Sequence, residues 1–222
     1  MASMAHRVAK GLVGGGALLL GVTLSGCAAP QFTYVANSGA STYFKVPHSW
    51  HKISDSSLTT LSTEMQRATG SSGGGWTVAY DAGTNPTAGD FLSFGTAKPF
   101  VFAEVIPLTL TASNALSYDV LRDIFLPVTN SARQNASAQG FLFTDFKWIR
   151  DQALTFSQGV HGVRETFDYS YAGRTDTFDQ IALTNADQTV VYLLVLDCTT
   201  SCYGNDQTDI NNVMSSFTIR SS

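Results

Sequence analysis

The chain has 222 residues, of which 44% are hydrophobic and 14% are charged, and its net charge is −4 at pH 7. This length fits one large domain or two small ones, and 14 Phe, 8 Tyr and 3 Trp supply a core, which excludes a disordered chain. A mildly acidic chain without a cluster of lysines and arginines is not expected to bind nucleic acid, because that binding requires a basic face.

The first 26 residues have the layout of an export signal. Arg7 and Lys10 precede an uncharged stretch over residues 11–24, and the small residues Ser25 and Gly26 follow it. A membrane-spanning helix needs about 20 apolar residues, so this stretch is short, and its glycines weaken it further as a helix. We therefore predict a signal peptide over residues 1–26 that is removed from the mature protein. An uncleaved anchor helix is the alternative.

The segment Leu24-Ser25-Gly26-Cys27 resembles the lipobox of bacterial lipoproteins. The resemblance implies that the thiol of Cys27 receives a diacylglyceryl group and that the chain is cut just before this residue. It also implies that the new N-terminus can be acylated with a fatty acid such as palmitate. Two acyl chains are enough for stable anchoring, so we expect a lipid-anchored protein on the extracytoplasmic face of the cell membrane. The alternative is a plain signal peptide in which Cys27 is spare.

The two later cysteines, Cys198 and Cys202, form an even pair if Cys27 carries lipid. An exported protein lies in a compartment where disulfides persist. Their spacing is not that of a CxxC redox motif, and the further Cys or His ligands of a zinc site do not accompany them. We predict a local structural disulfide between them, with two free thiols as the alternative.

The mature chain is predicted to begin with a tether, and a single domain follows it. Residues 27–40, the lipidated cysteine and a run of mostly small and polar residues, are predicted to be flexible, and the domain to cover residues 41–222. In its first half, the pattern predicts strands at 42–47, 50–53, 76–82 and 99–108. It predicts helices over 57–68 and over 114–126, the second capped by Ser113 and followed by Pro127. Residues 83–90 are predicted to be a loop.

The second half of the domain has the pattern of an antiparallel meander followed by a helix. Strands are predicted at 141–149, 163–171, 177–184 and 189–198, joined by short turns as in hairpins. Val190 to Leu196 is apolar at every position, so this strand is expected to be central and covered on both faces. Ile210, Val213, Met214 and Phe217 recur at helical spacing and predict the last helix. Together the elements predict an α+β fold, a mainly antiparallel β-sheet with helices packed on it.

Two motifs of the domain resemble those of a known family. FKVPHSW (44–50) resembles the strand–Pro–x–x–Trp opening of PsbP-like domains, and the helix ending in VMSSFTI (213–219), after a buried strand, resembles their close. Bacterial lipoproteins of the actinobacterial LpqN type are similar, with a lipobox, a tether and one such domain. The resemblance implies a PsbP-like α/β sandwich over residues 41–222, and it implies no catalytic residue.

The sequence does not contain a recognisable catalytic or metal-binding motif. It lacks the GxSxG, HExxH, P-loop and EF-hand patterns, and the Gly-rich segment 70–75 lacks the Lys-Ser/Thr that completes a P-loop. His48 and His51 are three residues apart, but beside Pro47 and Trp50 we expect them to flank a strand turn rather than to chelate a metal. We therefore predict no catalytic residue, no cofactor and no metal site.

These features favour a non-enzymatic binding or accessory module of the cell envelope, held to the membrane by its N-terminal lipid. A surface with little charge and many Thr, Ser and Asn residues suits contact with an envelope protein or a glycan. A carrier of an apolar small molecule or lipid in an internal pocket is the alternative, and a hydrophobic cavity of a few hundred cubic ångströms inside the sandwich would favour it. An envelope hydrolase would require His48, His51 or His161 within hydrogen-bond reach of a nucleophile in a cleft. Acidic residues along the hairpins, including Asp176 and Asp179, are expected to be surface charges.

Overall fold

The computed structural model describes residues 30–92 and 95–220, so Cys27 and the predicted signal peptide lie outside the described residues. The strands are β1 (Phe32–Asn37), β2 (Thr42–Pro47), β3 (His51–Lys52), β4 (Trp76–Asp81), β5 (Phe100–Pro107), β6 (Thr144–Thr155), β7 (His161–Tyr171), β8 (Arg174–Thr184), β9 (Val190–Thr199) and β10 (Thr218–Ile219). The helices are α1 (Asp55–Thr69), α2 (Ala88–Leu92), α3 (Leu110–Ala115), α4 (Tyr118–Arg122), α5 (Asn130–Ala138), α6 (Thr200–Asn205) and α7 (Gln207–Ser215).

The larger of two sheets has seven strands, each antiparallel to its neighbours, in the order β3-β4-β5-β9-β8-β7-β6. Strands β6 to β9 follow one another through hairpins, which confirms the predicted meander. Strand β9 lies between β5 and β8, so both of its edges are paired. The side chains of Leu193 to Leu196 have no exposed surface, which confirms the prediction of a central strand covered on both faces.

The two faces of β9 belong to two different apolar cores. Val191, Leu193 and Val195 pack in one core with residues of α1 and α4, among them Leu58, Leu61 and Leu121. Tyr192, Leu194 and Leu196 pack in the other core with residues of β2 and α7, among them Phe44, Val46 and Ile210. The fold therefore has three layers, which are the helices α1 to α5, the seven-stranded sheet, and a small sheet of order β1-β2-β10 beside α6 and α7.

The N-terminal part of the domain differs from the prediction. Residues 32–37, predicted as part of a flexible tether, form β1 and pair with β2 from Phe32 opposite Pro47 to Asn37 opposite Thr42. The prediction of a tether is wrong for these residues, because Phe, Thr, Tyr and Val favour strands and the side chain of Val35 is buried in the core between the small and large sheets. The domain therefore begins nearer to Cys27 than the sequence suggested.

The predicted helix over residues 114–126 is also different. Two short helices, α3 and α4, occupy this region, and Leu116 and Ser117 separate them. The hydroxyl of Ser117 accepts a hydrogen bond from the amide of Val120 at 3.2 Å, and this local cap starts a new helix. The cap of α3 is Thr109, not Ser113, which is buried.

Two of the acids expected at the surface are instead buried. Asp176 and Asp179 on β8 have no exposed surface. Arg164 on β7 donates two hydrogen bonds to Asp179, at 3.0 and 2.8 Å, and the hydroxyl of Tyr203 donates a third at 2.8 Å. This buried ion pair attaches α6 to the large sheet, because Tyr203 lies on that helix.

A disulfide links Cys198, near the end of β9, to Cys202 in α6, with a Cα–Cα distance of 5.9 Å. Both cysteines are buried in the core beside the small sheet. The bridge and the ion pair at Asp179 therefore hold the same short helix against the same face of the large sheet.

The close approach of β7 to β8 at Gly162 gives a test of the sheet register. A methyl group on this residue would overlap the carbonyl oxygen of Ala182 and lie 2.8 Å from the Cα atom of Leu183. We expect Gly162→Ala to lower the free energy of unfolding by about 3 kcal/mol, measured by urea denaturation. Gly204→Ala in α6 is the control, because no atom lies within 4 Å of its added methyl group, and it should leave stability unchanged or slightly higher. Equal unfolding midpoints for the two variants would contradict the register.

Candidate functional site

A pocket of about 520 Å³ lies in the helical layer, where α3, α4 and α5 meet the last turn of α1. Four alanines, Ala68, Ala112, Ala115 and Ala132, are among its lining residues. The most deeply buried residue of the lining is Val191 of β9, which has no exposed surface. The pocket therefore reaches from the protein surface down to the central strand, between helices whose short side chains leave it open.

Helix caps and one carboxylate hold the walls of this pocket in place. Thr129 caps α5, its hydroxyl accepting from the amide of Ala132 at 3.2 Å. Asp123, just after α4, accepts hydrogen bonds from the amides of Val128 and Thr129 at 2.7 and 2.8 Å and from the Thr129 hydroxyl at 2.6 Å. Both carboxylate oxygens of Asp123 are therefore used to join α4 to the start of α5, and this residue is a positioning group in the lining.

A buried pair of polar side chains lies beneath α4. Glu165 on β7 and Gln180 on β8 are directly opposite each other in the sheet. The Gln180 amide donates to Glu165 Oε1 at 2.9 Å and to the carbonyl oxygens of Leu121 and Arg122 at 3.1 Å each. The last carbonyl groups of a helix lack partners within the helix, so this pair satisfies two of them and attaches the pocket wall to the sheet.

Burial sets the protonation state of Glu165. Its side chain has no exposed surface, and its Oε2 atom has no hydrogen-bond partner among the described residues. Burial, and next the negative charge of Asp151, raise the pKa of Glu165 to about 9, against the opposing charge of Arg122. The carboxyl group is therefore protonated and neutral at pH 7, and because no solvent reaches it, we assign it a structural role.

A second buried carboxyl group attaches α1 to the sheet. Glu104 on β5 accepts hydrogen bonds from Ser62 at 2.8 Å and from Gln66 at 3.3 Å, both on α1. Burial raises the pKa of Glu104 to about 7, although hydrogen bonds from Ser62 and Gln66 favour the charged form. The helix that ends at the pocket is thus held by a group that titrates close to neutrality.

A third group of acids lies at the other end of the large sheet. Asp197 and Asp176 are buried, and each has one carboxylate oxygen without a hydrogen-bond partner among the described residues. Burial, with added repulsion from Asp176 and Asp81, raises the pKa of Asp197 well above its ordinary value. Within residues 30–92 and 95–220, no three His, Cys, Asp or Glu side chains are arranged to hold a metal ion.

The three histidines considered for hydrolysis are apart from the pocket. His48 is exposed, with its Nδ1 atom 3.1 Å from the hydroxyl of Thr33, and His51 is exposed on β3. His161 lies at the start of β7, and its Nδ1 atom is 2.8 Å from the carbonyl oxygen of Gly159. None of the three lines the 520 Å³ pocket, so the structure does not bring a histidine and a nucleophile together there.

No motif in the sequence marks the pocket, whereas the strand pattern contains a signal for the buried Glu165. Alanines such as Ala112 and Ala132 come from helices that are far apart in sequence, and no motif marks them. Glu165, in contrast, has the same phase as Val163, Phe167 and Tyr169 on β7, and these three residues are buried. An acid at an apolar position of a strand pattern predicts a buried carboxyl group.

Comparison with known proteins identifies the fold. No protein-family model and no curated protein sequence matches the chain. The structure is similar to the PsbP protein CyanoP of Synechocystis, with a TM-score of 0.51 and 12% identity over 88% of this chain and 96% of that chain. This likeness shows a PsbP-like fold and confirms the predicted α+β class, and at this identity it carries no information on function.

Two further solved structures have lower TM-scores. LpqN of Mycobacterium tuberculosis, described as involved in cell envelope biogenesis, has a TM-score of 0.46 and 15% identity over 86% of this chain and 91% of that chain. The Ran-binding protein Mog1p of Saccharomyces cerevisiae has a TM-score of 0.42 and 6% identity over 85% and 95% of the two chains. The predicted likeness to LpqN-type lipoproteins stays a prediction. No helix among the described residues is long and apolar enough to cross a membrane.

The raised pKa of Glu165 predicts the pH dependence of stability. Between the ordinary pKa of 4.5 and about 9, the folded protein keeps a proton that the unfolded chain has released. The free energy of unfolding therefore falls as pH rises through this window, by up to about 1.4 kcal/mol per pH unit for one proton. Glu165→Gln resembles the neutral acid in shape, so it should be more stable than wild type at pH 8 and similar to it at pH 5.

Urea denaturation at several pH values measures this effect. Glu64→Gln is the control, because Glu64 is exposed on α1 and its ion pair with Arg67 is exposed as well, and it should leave the pH profile of wild type unchanged. Parallel profiles for wild type and Glu165→Gln would contradict the assignment of a neutral Glu165.

Proposed function

We propose that this protein is a lipid-anchored, non-enzymatic binding protein of the cell envelope that holds an apolar small molecule, or the apolar part of a lipid, in the pocket between α1, α3, α4 and α5. The observation that supports ligand binding is the pocket, through its volume and its apolar lining. Its volume of about 520 Å³ is within the usual range of ligand sites, about 300 to 1,000 Å³. Its deep end is apolar, formed by residues such as Ile124 and Val191, so burial of an apolar group there is favourable.

The polar residues of the lining indicate the chemistry of the ligand. Asp119, Ser131 and Asn135 are exposed members of the lining, whereas Ile124 and Val191 are buried. A ligand with an apolar body and a hydrogen-bonding end fits this arrangement, its apolar part against the sheet and its polar end near the surface. This separation of an apolar interior from a few polar groups is typical of sites that bind small molecules.

The chemistry of the lining supports binding rather than catalysis. Asp123 has both carboxylate oxygens engaged by the start of α5, and the hydroxyl of Ser131 lies 3.3 Å from that of Thr129. A general base must lie within hydrogen-bond reach of the proton it removes. No histidine, cysteine, lysine or tyrosine is part of this lining, so the pocket offers a surface for a ligand and not a nucleophile with its base.

Strand β1, the described strand nearest in sequence to the predicted anchor, and the pocket belong to different layers of the domain. Strand β1, which begins five residues after Cys27, belongs to the small sheet, and the pocket lies across the large sheet in the helical layer. With Cys27 in the membrane, the pocket faces away from the bilayer. A ligand would then be exchanged with the aqueous space of the envelope or with a partner protein there.

Filling the pocket tests the binding function. Ala132→Trp places a large side chain in the lining and should abolish the fluorescence enhancement of the uncharged apolar probe N-phenyl-1-naphthylamine, which wild type should bind saturably. Ala138→Trp, exposed on the same helix and outside this lining, is the matched control and should bind the probe as wild type does. Equal binding by both variants, or no saturable binding by wild type, would contradict the proposal.

The anchor is tested separately by fractionation of cells that express the full chain. Cys27→Ser removes the thiol that accepts the lipid, so the protein should move from the membrane fraction to the soluble fraction. Cys202→Ser makes the same substitution within the domain and should leave the protein in the membrane fraction. Retention of Cys27→Ser in the membrane fraction would show that the anchor has another origin.

A further inference from the structure

The small sheet has an inner face, which packs on the large sheet, and an outer face. Among the described residues, neither apolar core includes the side chains of the outer face. The inward side chains of the small sheet, Val35, Phe44 and Val46, are buried against α7 and the large sheet. Since side chains alternate along a strand, Tyr34 and Lys45 point the other way, and Tyr34 is 80% exposed. The side chains of Phe32, Tyr34, Tyr43, Lys45 and Arg220 form this outer face.

The outer face carries positive charge without acids. Residues 1–54 contain no Asp or Glu, although the whole chain has a net charge of −4. Lys45 Nζ lies 4.2 Å from the ring centroid of Phe32, and the Arg220 guanidinium lies 4.9 Å from that of Tyr43. Each cation on this face is therefore held above an aromatic ring, which is a favourable arrangement.

A groove of about 310 Å³ is present on the same side of the small sheet. Its lining includes both cations, Lys45 and Arg220, together with Tyr34 and the exposed residue Thr218. Two cations and a hydroxyl around one groove suit an anionic oxygen group, since Lys and Arg both bind phosphate. An exposed tyrosine beside them has the amphipathic character that places Tyr at membrane–water interfaces.

The short segment between Cys27 and β1 limits how far this face can lie from a lipid on Cys27. Four residues lie between Cys27 and Phe32, the first residue of β1, and these five residue steps span at most about 18 Å. If Cys27 carries lipid, which is part of the proposed function, the start of β1 must lie within this distance of the bilayer surface. The outer face of the small sheet includes that start.

From these observations we infer that the outer face of the small sheet binds an anionic phospholipid surface, with Lys45 and Arg220 contacting head-group phosphates and Tyr34 at the level of the head groups. A second copy of this chain fits the face less well, because a two-fold axis through it would bring like charges together. The acyl anchor on Cys27 strengthens this contact, because it keeps the outer face close to the bilayer and makes binding of the face to the lipid head groups an intramolecular event. This contact also fixes the orientation in which the pocket opens away from the bilayer.

Vesicle binding tests the inference without the acyl anchor. The probe is the chain from residue 27 onward with Cys27→Ser, which keeps every described residue, mixed with vesicles of phosphatidylcholine alone or with phosphatidylglycerol added. The protein should sediment with the anionic vesicles, not with the neutral ones, and release with increasing salt. Because this chain lacks the Cys27 thiol that would accept lipid, a failure to bind vesicles is distinct from a failure of the Cys27 anchor in cells.

Charge reversal locates the binding surface. Each cation near an anionic membrane strengthens binding about fivefold, so Lys45→Glu with Arg220→Glu should weaken binding to the anionic vesicles at least about 25-fold. The control is Arg67→Glu with Arg150→Glu, which makes the same charge change at exposed residues outside the small sheet. Unfolding curves verify that both double variants are folded.

Three results would overturn the inference. They are equal loss of binding in the two double variants, absence of binding by the parent chain to both kinds of vesicle, and binding that does not depend on phosphatidylglycerol. Sedimentation velocity measures whether the parent chain forms a dimer through this face. A dimer of the parent chain that Tyr34→Ala dissociates would assign the face to self-association instead.

Discussion

The structure depends on a central strand that is apolar on both faces. Strand β9 is paired along both edges, and its residues Leu193 to Leu196 are fully buried, so each face of the large sheet must be covered by another layer. The helices α1 to α5 cover one face, and the small sheet with α6 and α7 covers the other. The three-layer order follows from this requirement, and it places the N-terminal strand and the pocket on opposite sides of the domain.

The two covering layers are attached to the large sheet by different kinds of interaction. The layer beside α6 is held by the Cys198–Cys202 disulfide and by the bidentate Arg164–Asp179 ion pair. The helical layer is held by buried carboxyl groups, Glu104 under α1 and Glu165 under α4, whose pKa values burial raises to about 7 and about 9. Neutral acids cost less to bury than carboxylates. Because these acids lose their protons as pH rises, the attachment of the pocket walls to the sheet depends on pH.

The sequence predicted the elements whose signals are local. The unbroken apolar run of β9 and the helical spacing of Ile210, Val213 and Met214 correctly indicated a buried strand and the last helix. β1 was missed because its pairing with β2 is a tertiary contact and its neighbours are small and polar. One helix was predicted where there are two, because the cap at Ser117 competes with an otherwise continuous apolar stripe. The pocket could not be predicted, since four alanines from three separate helices create it by being small.

The central claim is that the helix-lined pocket binds an apolar ligand. NMR spectra of the chain from residue 27 onward, with Cys27→Ser and labelled alanine methyl groups, test it most directly during titration with an apolar probe. The account predicts saturable shifts of Ala68, Ala112, Ala115 and Ala132, which line the pocket, with Ala103, on the other face of the sheet, unchanged. Shifts spread over all alanines, or confined to residues outside the pocket, would contradict it.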